Sequence, residues 1–490
     1  MKIKQKARSS TVVITLAGLV LFVSSFLPPI SGYAAAPAAN FSHAPKSEPE
    51  FTIVTTDAVA VHLTSPHPDI SNDIIAFSEG ETSLLGYYDI RNSKTVHTSN
   101  MAQASPKISN NFISSTDNYM PYIFDISTNQ RHNIKDYVPN PNELTRYDSL
   151  EIANGKVAYV YPVTNGYLMY YDGVNKINTN LNVMATSALI SERAIVFYSA
   201  QNYNCQNIKY FDFQTQEIID TQLPCSPHLF RSIDNDKIAL GVNERTLVND
   251  LNGDGDTLDR VAGYYDIKQR QVFYTQVAIH PYPSIDIDGN IMAFVTDDGF
   301  VGYHDISLNN TVNTGNKIDY SQLQSNSYAG SPTVSGNIIA FTTREDQVNQ
   351  DLDYDGKITI GRRVVRYYDI ASGKTINTGA ASFENAVSIS GNKVAFMTGE
   401  NLIGASGTDA NGDGDKNDVI IRYIVINNIS PTASFTATPT SGEAPLTVQF
   451  TDTSTGDVAS RLWDFGDGFD SATQNPSHTY NNPGNYDVSL

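Results

Sequence analysis

The sequence predicts an all-β protein made of a repeated four-stranded unit, followed by a second and smaller β domain. A short phrase of two aromatic or apolar residues and an Asp recurs along most of the chain. A strand–turn–strand phrase precedes each copy, and the 28 Tyr and 32 Gly residues suit short strands joined by tight turns. A chain of 490 residues exceeds what one hydrophobic core normally spans, so two or three domains are expected.

The aromatic–Asp phrase defines the repeat. In its clearest form it reads Tyr-Tyr-Asp-Ile, and an eighth copy at residues 423–426 has Val in place of Asp. A catalytic residue seldom occurs once per repeat, so we predict that this Asp stabilises the turn that follows it. The seven copies of the residue are Asp89, Asp125, Asp172, Asp212, Asp266, Asp305 and Asp369.

The phrase before each Asp predicts a hairpin. Residues 334–341 (VSGNIIAF) read as a strand, a two-residue turn and a second strand. Another strand follows the Asp turn, so one unit has four antiparallel strands, which is a blade of a β-propeller. First strands start near residues 68, 106, 149, 187, 229, 283, 332 and 386. We therefore predict eight blades, or seven if the weak copy near residue 106 is not a blade.

The two ends of the repeat region predict ring closure. The last unit lacks a fourth strand, whereas residues 58–64 (AVAVHLT) resemble a fourth strand with no unit before it. An N-terminal strand that completes the last blade would remove the free sheet edges. We therefore assign residues 58–429 to the propeller and residues 37–57 to a linker.

These units resemble the propeller repeats of TolB-like and archaeal cell-surface proteins, in which a Gly-Asn turn precedes Ile-Ala-Phe and then Tyr-Asp-Ile. The resemblance covers residues 61–427. It implies the propeller architecture and leaves the function open, because propellers serve in binding, in scaffolding and in several enzyme classes.

A second domain begins at residue 430. Residues 463–468 (WDFGDG), 478–480 (HTY) and 483–486 (PGNY) occur in the order found in PKD domains, which they strongly resemble. This resemblance implies an immunoglobulin-like β-sandwich at residues 430–490, of a kind common on cell-surface proteins and secreted hydrolases. Because Leu490 falls in the expected penultimate strand, the domain is expected to be incomplete at its C-terminus.

The N-terminus predicts export. Four basic residues up to Arg8 precede an apolar run at residues 11–27, and small residues follow at 34–36, so residues 1–36 are assigned to a signal peptide. An uncleaved membrane anchor is the alternative. In an exported chain Cys205 and Cys225, which should face each other across the end of a hairpin in blade 4, are predicted to form a disulfide, with two free thiols as the alternative.

Three acidic loops predict calcium sites. Oxygen-bearing side chains alternate around a Gly, as a hard cation that takes six to eight oxygen ligands requires. The loops resemble EF-hand loops but lack the terminal Glu, for which Asp259 and Asp418 are candidate substitutes; a solvated turn is the alternative interpretation. The candidate ligands of structural Ca²⁺ are Asp250, Asn252, Asp254, Asp256, Asp259, Asp351, Asp353, Asp355, Asp409, Asn411, Asp413, Asp415 and Asp418.

The net charge and the catalytic motifs missing from the sequence limit the classes of function to be expected. A net charge of −20 argues against nucleic acid as a partner, because phosphates require a basic surface. The sequence contains no zinc-protease, nucleophile-elbow or phosphate-loop motif. We predict a secreted or cell-surface, non-catalytic binding or adhesion protein for glycans or surface proteins, attached to a membrane or cell wall, if at all, through parts outside this chain. The alternatives are a secreted carbohydrate-active lyase or hydrolase, and a structural component of a surface layer.

Overall fold

The computed structural model describes residues 11–16, 51–60, 67–79, 83–102, 105–117, 120–134, 150–161, 166–172, 177–201, 204–224, 230–247, 249–280, 285–318, 332–383, 387–403, 406–427, 433–454, 458 and 461–490. The chain divides into two compact units. One is Phe51–Ile426, and the other combines Met1–Glu50 with Asn427–Leu490.

The first unit is an eight-bladed β-propeller, as predicted, and the weak copy near residue 106 is a blade. Six blades are separate four-stranded antiparallel sheets, blades 3 and 4 together form one seven-stranded sheet, and the first strands of successive blades lie side by side around a closed circle. The strands of blade 1 are Asp69–Ser71, Ile74–Ser78, Leu84–Asp89 and Lys94–Met101, and those of blade 2 are Lys107–Ser109, Phe112–Asp117, Met120–Asp125 and Gln130–Asn133. Those of blade 3 are Leu150–Ala153, Lys156–Tyr161, Gly166–Asp172 and Ile177–Ile190. Blade 4 uses the end of this last strand together with Ala194–Gln201, Asn204–Asp212 and Glu217–Pro224. The strands of blades 5 to 8 are Phe230–Asp234, Lys237–Asn243, Arg260–Asp266 and Gln271–Ala278; Ile285–Asp288, Ile291–Val295, Phe300–Asp305 and Asn310–Lys317; Thr333–Ser335, Ile338–Arg344, Arg363–Asp369 and Lys374–Ser382; and Ser388–Ser390, Lys393–Gly399, Val419–Ile426 and Phe51–Val59.

Blades 3 and 4 share one long strand. The first part of Ile177–Ile190 pairs with the third strand of blade 3, and its last residues pair with Ala194–Gln201. The same strand is therefore the fourth strand of blade 3 and the first strand of blade 4, which joins the two blades into one seven-stranded sheet.

Ring closure occurs as predicted, but the closing strand was placed wrongly. Phe51–Val59 pairs antiparallel with Val419–Ile426 and completes blade 8, so residues 51–57 belong to the ring and not to a linker. Residues 61–64 of the predicted closing strand lie outside the described residues, and the alternation at 58–60 did not locate the start of the strand. The better signal is Val54-x-Thr56, which matches Val96-x-Thr98 and Ile376-x-Thr378 in the fourth strands of blades 1 and 7.

The fourth-strand threonine bridges an irregularity that recurs between the third and fourth strands. The Thr378 hydroxyl donates to the Val365 carbonyl (2.5 Å) and accepts from the Ala380 amide (3.1 Å), at a shift in the strand register. The hydroxyls that bond a third-strand carbonyl in this way are those of Thr56, Thr98, Thr221, Thr275, Thr314 and Thr378. Each one satisfies backbone groups that the bulge removes from the ladder.

The hydrophobic core lies between the blades, which explains the doubled aromatic residue of the repeat. Successive side chains of a strand point to opposite faces of the sheet. Tyr264 accordingly packs against blade 6 and Tyr265 against blade 4, where its ring lies 6.0 Å from that of Tyr210. The Asp of the phrase stabilises the next turn, as predicted. Asp305, for example, accepts from the Ser307 amide at 2.9 Å.

Side chains of the inner strands tie neighbouring blades together. Asp286 in blade 6 accepts from the Ser232 hydroxyl of blade 5 (2.7 Å) and from the Val334 amide of blade 7 (2.9 Å). Asp69 links blades 8, 1 and 2 in the same way. Two residues further along the strands, the side chains that accept from a backbone amide of the following blade are Ser71, Ser109, Asp234, Asp288, Ser335 and Ser390.

The C-terminal unit is a small β-sandwich. Its core contains the only Trp of the chain, Trp463, whose indole N–H donates to the Thr473 carbonyl (2.8 Å). One sheet joins Thr11–Leu16, from the predicted signal peptide, to Ser441–Glu443 and Gly484–Val488. The remaining strands are Phe435–Thr438, Leu446–Asp452, Trp463–Asp464, Asp470–Ser471 and Ser477–Tyr480. Among the described residues, no helix has the length and apolarity needed to cross a membrane.

Candidate metal centre

Three loops of similar construction occupy one position in the repeat, between the second and third strands of blades 5, 7 and 8. All three therefore lie at the same end of the blade strands. A single helical turn follows each second strand: Glu244–Leu247, Glu345–Val348 and the 3₁₀ turn Glu400–Leu402. The acidic segments predicted as calcium loops begin after these turns.

Each helical turn begins with a Glu that is completely buried. Glu244, Glu345 and Glu400 are all 0% exposed. The Glu244 amide donates to the Asp259 carbonyl (3.1 Å), and the Glu400 amide donates to the Asp418 carbonyl (2.9 Å). Burying a carboxylate lowers the stability of the folded state unless hydrogen bonds or a positive charge compensate it. The partners of these three side chains therefore indicate whether each loop binds a cation.

In blade 5 only one oxygen of the buried Glu is satisfied. Glu244 Oε1 accepts from the backbone amides of Leu251 (2.5 Å) and Asn252 (3.1 Å). Glu244 Oε2 is buried and has no hydrogen-bond partner among the described residues. Glu400 in blade 8 has the same arrangement, with two amides on Oε1, at 2.7 and 3.2 Å, and a buried Oε2 without a partner in the described part of the chain.

Two aspartates converge on each of these glutamates. Glu244, Asp256 and Asp259 each place a carboxylate oxygen within 4.8 Å of the others, and blade 8 repeats the arrangement with Glu400, Asp415 and Asp418. Because Ca²⁺ binds oxygen at about 2.3–2.6 Å, two oxygens on one ion lie no more than about 5 Å apart. The spacing and the all-oxygen donor set therefore fit a hard divalent cation.

The first Asp of the predicted loop shapes the backbone. The two carboxylate oxygens of Asp250 accept from the amides of Gly253 (2.6 Å) and Gly255 (3.0 Å). Gly255 has a φ of 100°, which favours glycine, so the sharp turn expected from the sequence is present. Asp409 makes the same pair of contacts in blade 8.

The Asn of the loop bridges two carboxylates. The Asn252 side-chain amide donates to Asp254 and to Asp259, at 3.1 Å in both cases, while its oxygen accepts from the Asp254 amide. Asn411 makes the equivalent contacts with Asp413 and Asp418. Asn252 therefore holds Asp259 in place, and Asn411 holds Asp418 in place. The carboxylate and amide oxygens of these side chains are further oxygen atoms of each loop.

The charges in the loops are crowded. Burial, followed by the neighbouring Asp254, raises the pKa of Asp259, and burial together with Asp413 and Glu400 raises the pKa of Asp418. In contrast, a hydrogen bond from the Asp256 amide, followed by one from Asn252, lowers the pKa of Asp254. A bound cation would relieve the repulsion that raises the first two pKa values.

The loop of blade 7 has different partners. Glu345 Oε1 accepts from the Leu352 and Asp353 amides, as in the other blades, but Oε2 accepts from the Thr359 amide (2.9 Å). Asp353 accepts from Arg362 Nη1 at 2.6 Å. Glu345, Asp351 and Asp353 still form an acidic cluster, whereas Asp355 accepts only from the backbone amide of Lys357 among the hydrogen bonds of this loop.

The three buried glutamates were missed in the sequence analysis, although a signal for them exists. Each lies five residues after the buried Ala of the Ile-Ala-Phe phrase, at Ala239, Ala340 and Ala395. Aligning the ends of the second strands would therefore have shown a Glu in all three blades that carry an acidic loop.

Carboxylates also lie on the inner strands of the blades. Burial raises the pKa of Asp286, and burial together with nearby Asp69 raises that of Glu151, which Lys107 opposes. The oxygens of Asp286 and Asp69 accept the inter-blade hydrogen bonds described above. These contacts give both side chains a role in joining blades.

His478 and Asp467 of the PKD resemblance contact each other in the sandwich. The His478 ring stacks on Phe465 with centroids 4.2 Å apart, and its Nε2 lies 2.7 Å from Asp467. The predicted disulfide lies outside the described residues, because Cys225 and the side chain of Cys205 are not among them.

Comparison with known families identifies the C-terminal domain. Residues 428–490 match the PKD domain family, so this segment is a PKD domain, a type found typically in extracellular proteins. No protein with a curated description matches the sequence of this chain.

The chain is also similar to solved structures of other proteins. The computationally designed protein Ika8 is similar over 75% of this chain and 99% of its own, with 12% identity and a TM-score of 0.44. Tricorn protease is similar over 68% of this chain and 37% of its own, with 14% identity and a TM-score of 0.37. An oligogalacturonate lyase in complex with manganese covers 60% of this chain and 93% of its own, with 12% identity and a TM-score of 0.39. These similarities concern the fold, and activity does not follow from them.

Proposed function

We propose that this protein is an exported, non-catalytic recognition protein of the cell surface whose propeller binds calcium in its acidic loops. The observation that carries the calcium proposal is the buried Glu of blades 5 and 8. Its second carboxylate oxygen has no partner among the described residues, and two aspartates converge on the same side chain. A cation would supply the missing partner.

The metal would have a structural role. Glu244 and Glu400 stand at the end of a second strand, and Asp259 and Asp418 stand directly before a third strand. An ion held between them would connect both strand ends and fix the loop at one edge of the blade. Loops of this type suit extracellular calcium, because extracellular protein modules bind it with dissociation constants of about 0.1–1 mM.

Exposed apolar side chains at the same end of the blades support recognition of a glycan or protein partner there. Tyr354 is 70% exposed and Ile360 is 85% exposed in the blade 7 loop, and Leu258 is also exposed in the blade 5 loop. Aromatic side chains are enriched in protein interfaces relative to the rest of the surface. The PKD domain, a type found typically in extracellular proteins, supports a location outside the cell.

The experiment is a retention assay with polysaccharides and host envelope fractions, in calcium and in chelator, which also measures released sugar fragments. We expect retention without fragments, weakened by chelator and by the double substitution Tyr354→Ala/Ile360→Ala. Leu308→Ala is the matched control, because Leu308 is equally exposed but lies in the turn at the opposite end of blade 6. Fragment release would overturn the non-catalytic assignment, and equal loss in the control would overturn the choice of surface.

A further inference from the structure

The blade 7 loop carries basic residues at two positions where the other loops carry clustered aspartates. The Glu345 amide donates to the Arg362 carbonyl (3.1 Å), as the Glu244 amide does to the Asp259 carbonyl. Arg362 is therefore the structural counterpart of Asp259. This equivalence comes from the backbone hydrogen bonds, because Arg362 follows the first Asp of its loop, Asp351, by 11 residues, whereas Asp259 follows Asp250 by 9 residues.

Lys357 occupies the second position. Its amide donates to the Asp355 carboxylate at 3.1 Å, just as the Asp256 amide donates to Asp254 at 3.0 Å. The Asp415 amide makes the same bond in blade 8. At both ligand positions, blade 7 thus replaces a negative charge by a positive one.

The Arg362 guanidinium pairs with a carboxylate of the blade 7 loop. Its Nη1 lies 2.6 Å from Asp353 Oδ2, and both side chains are largely buried. The Glu345 oxygen that corresponds to the unpartnered oxygen in blades 5 and 8 accepts from the Thr359 amide instead. The chain itself therefore supplies the donors for these two carboxylates.

Little remains in blade 7 to bind a metal. Asp351 Oδ1 is the carboxylate oxygen of this loop that is buried without a partner among the described residues. Calcium takes six to eight oxygen ligands, and an ion bound by the cluster of Glu345, Asp351 and Asp353 would share Asp353 with a guanidinium of the same charge sign.

We propose that the propeller binds two divalent cations, one in the loop of blade 5 and one in that of blade 8, and that Arg362 serves as a built-in cation in blade 7. This inference rests on the proposed calcium binding and specifies which loops perform it. The blade 7 loop is a metal-independent copy of the other two.

The test counts bound calcium on the full chain by equilibrium dialysis and by native mass spectrometry. We expect two ions on the wild type, one on Glu244→Gln or Glu400→Gln, and two on the matched control Glu345→Gln. The double substitution Lys357→Asp/Arg362→Asp restores the pattern of blades 5 and 8 and should raise the count to three.

The outcomes separate this inference from the proposed function. Binding of no calcium by the wild type would overturn the proposed calcium function itself. Three ions on the wild type, or loss of one ion in Glu345→Gln, would leave that function standing and overturn the role of Arg362. Circular dichroism establishes that each variant is folded, and the wild-type count and the Glu345→Gln control decide the question if the double variant does not fold.

Discussion

Replacing Glu244 by Gln should stabilise the protein in calcium-free buffer, and calcium should cancel most or all of that gain. The substitution keeps the Oε1 acceptor for the amides of Leu251 and Asn252, and places an amide N–H₂ where Oε2 was. Without calcium, that oxygen is buried and unpartnered beside Asp256 and Asp259. The new amide donates to those carboxylates instead of repelling them.

The two contributions have comparable size and opposite sign. A hydrogen bond to a charged group contributes about 1.5–3 kcal/mol, so the free energy of unfolding in chelator should rise by about 1–3 kcal/mol. A site whose calcium is about 100-fold above its dissociation constant adds about 2.7 kcal/mol to the folded state. The variant loses that addition, so its stability relative to the wild type falls when calcium is present.

Urea unfolding followed by far-ultraviolet circular dichroism measures both effects as shifts of the midpoint. Glu345→Gln is the control, because both Glu345 oxygens accept backbone amides and a Gln N–H₂ would face the Thr359 amide. This variant should be destabilised by about 1–3 kcal/mol with and without calcium. If Glu244→Gln lowers the midpoint in chelator as the control does, the reasoning about the unpartnered oxygen is wrong.

Three further predictions test other parts of the molecule. Thr378→Val keeps the side-chain shape but removes both hydrogen bonds of the buried hydroxyl, so the free energy of unfolding measured in urea titrations should fall by about 2–4 kcal/mol. Thr378→Ser keeps the hydroxyl and should cost only about 1 kcal/mol. Equal losses in the two variants would contradict the role of the hydroxyl. Burial raises the pKa of Asp286 in the folded state above its unfolded value, so its protonation favours folding. The stability of the wild type relative to Asp286→Asn should therefore increase as pH falls from the folded pKa towards the unfolded value near 3.8, by about 1.4 kcal/mol for each pH unit between them; a pH-independent difference would contradict this. Trp463 lies in the sandwich, whereas all three acidic loops lie in the propeller. Calcium should therefore raise the unfolding midpoint measured by circular dichroism and leave the midpoint measured by Trp fluorescence unchanged. A Trp midpoint that depends on calcium would show that the two units unfold together.

The repeat was predictable because its residues report buried positions directly. Paired aromatics contact two neighbouring blades, and Gly or Asn marks the first hairpin of seven blades, blade 4 being the exception with Ser191-Glu192-Arg193, so the eight first strands fall within a few residues of the predicted positions. The closing strand was harder to locate because its fourth-strand Thr, and not its alternation, identifies it. Thr56 takes part in a bulge, and a bulge interrupts the period of two on which the prediction relied.

The acidic loops were predictable from local spacing, whereas the arrangement around each cluster was not. Glu244 lies in the sequence before its loop, at the end of a strand, and reaches the cluster only because the chain folds back. The equivalence of Arg362 with Asp259 depends on a hydrogen bond between residues 345 and 362 that spacing does not reveal. Which carboxylate is left without a partner depends on three-dimensional contacts.

The closing strand determines how the ring would respond to mechanical load. Phe51 pairs with Ile426, so the chain enters and leaves the propeller at the same end of one antiparallel strand pair. Tension applied between the segments before residue 51 and after residue 426 would therefore separate the pair one hydrogen bond at a time, as a zipper opens, and would not shear all its bonds at once. Blade 8 would yield first, while the other seven blades carry little of the force.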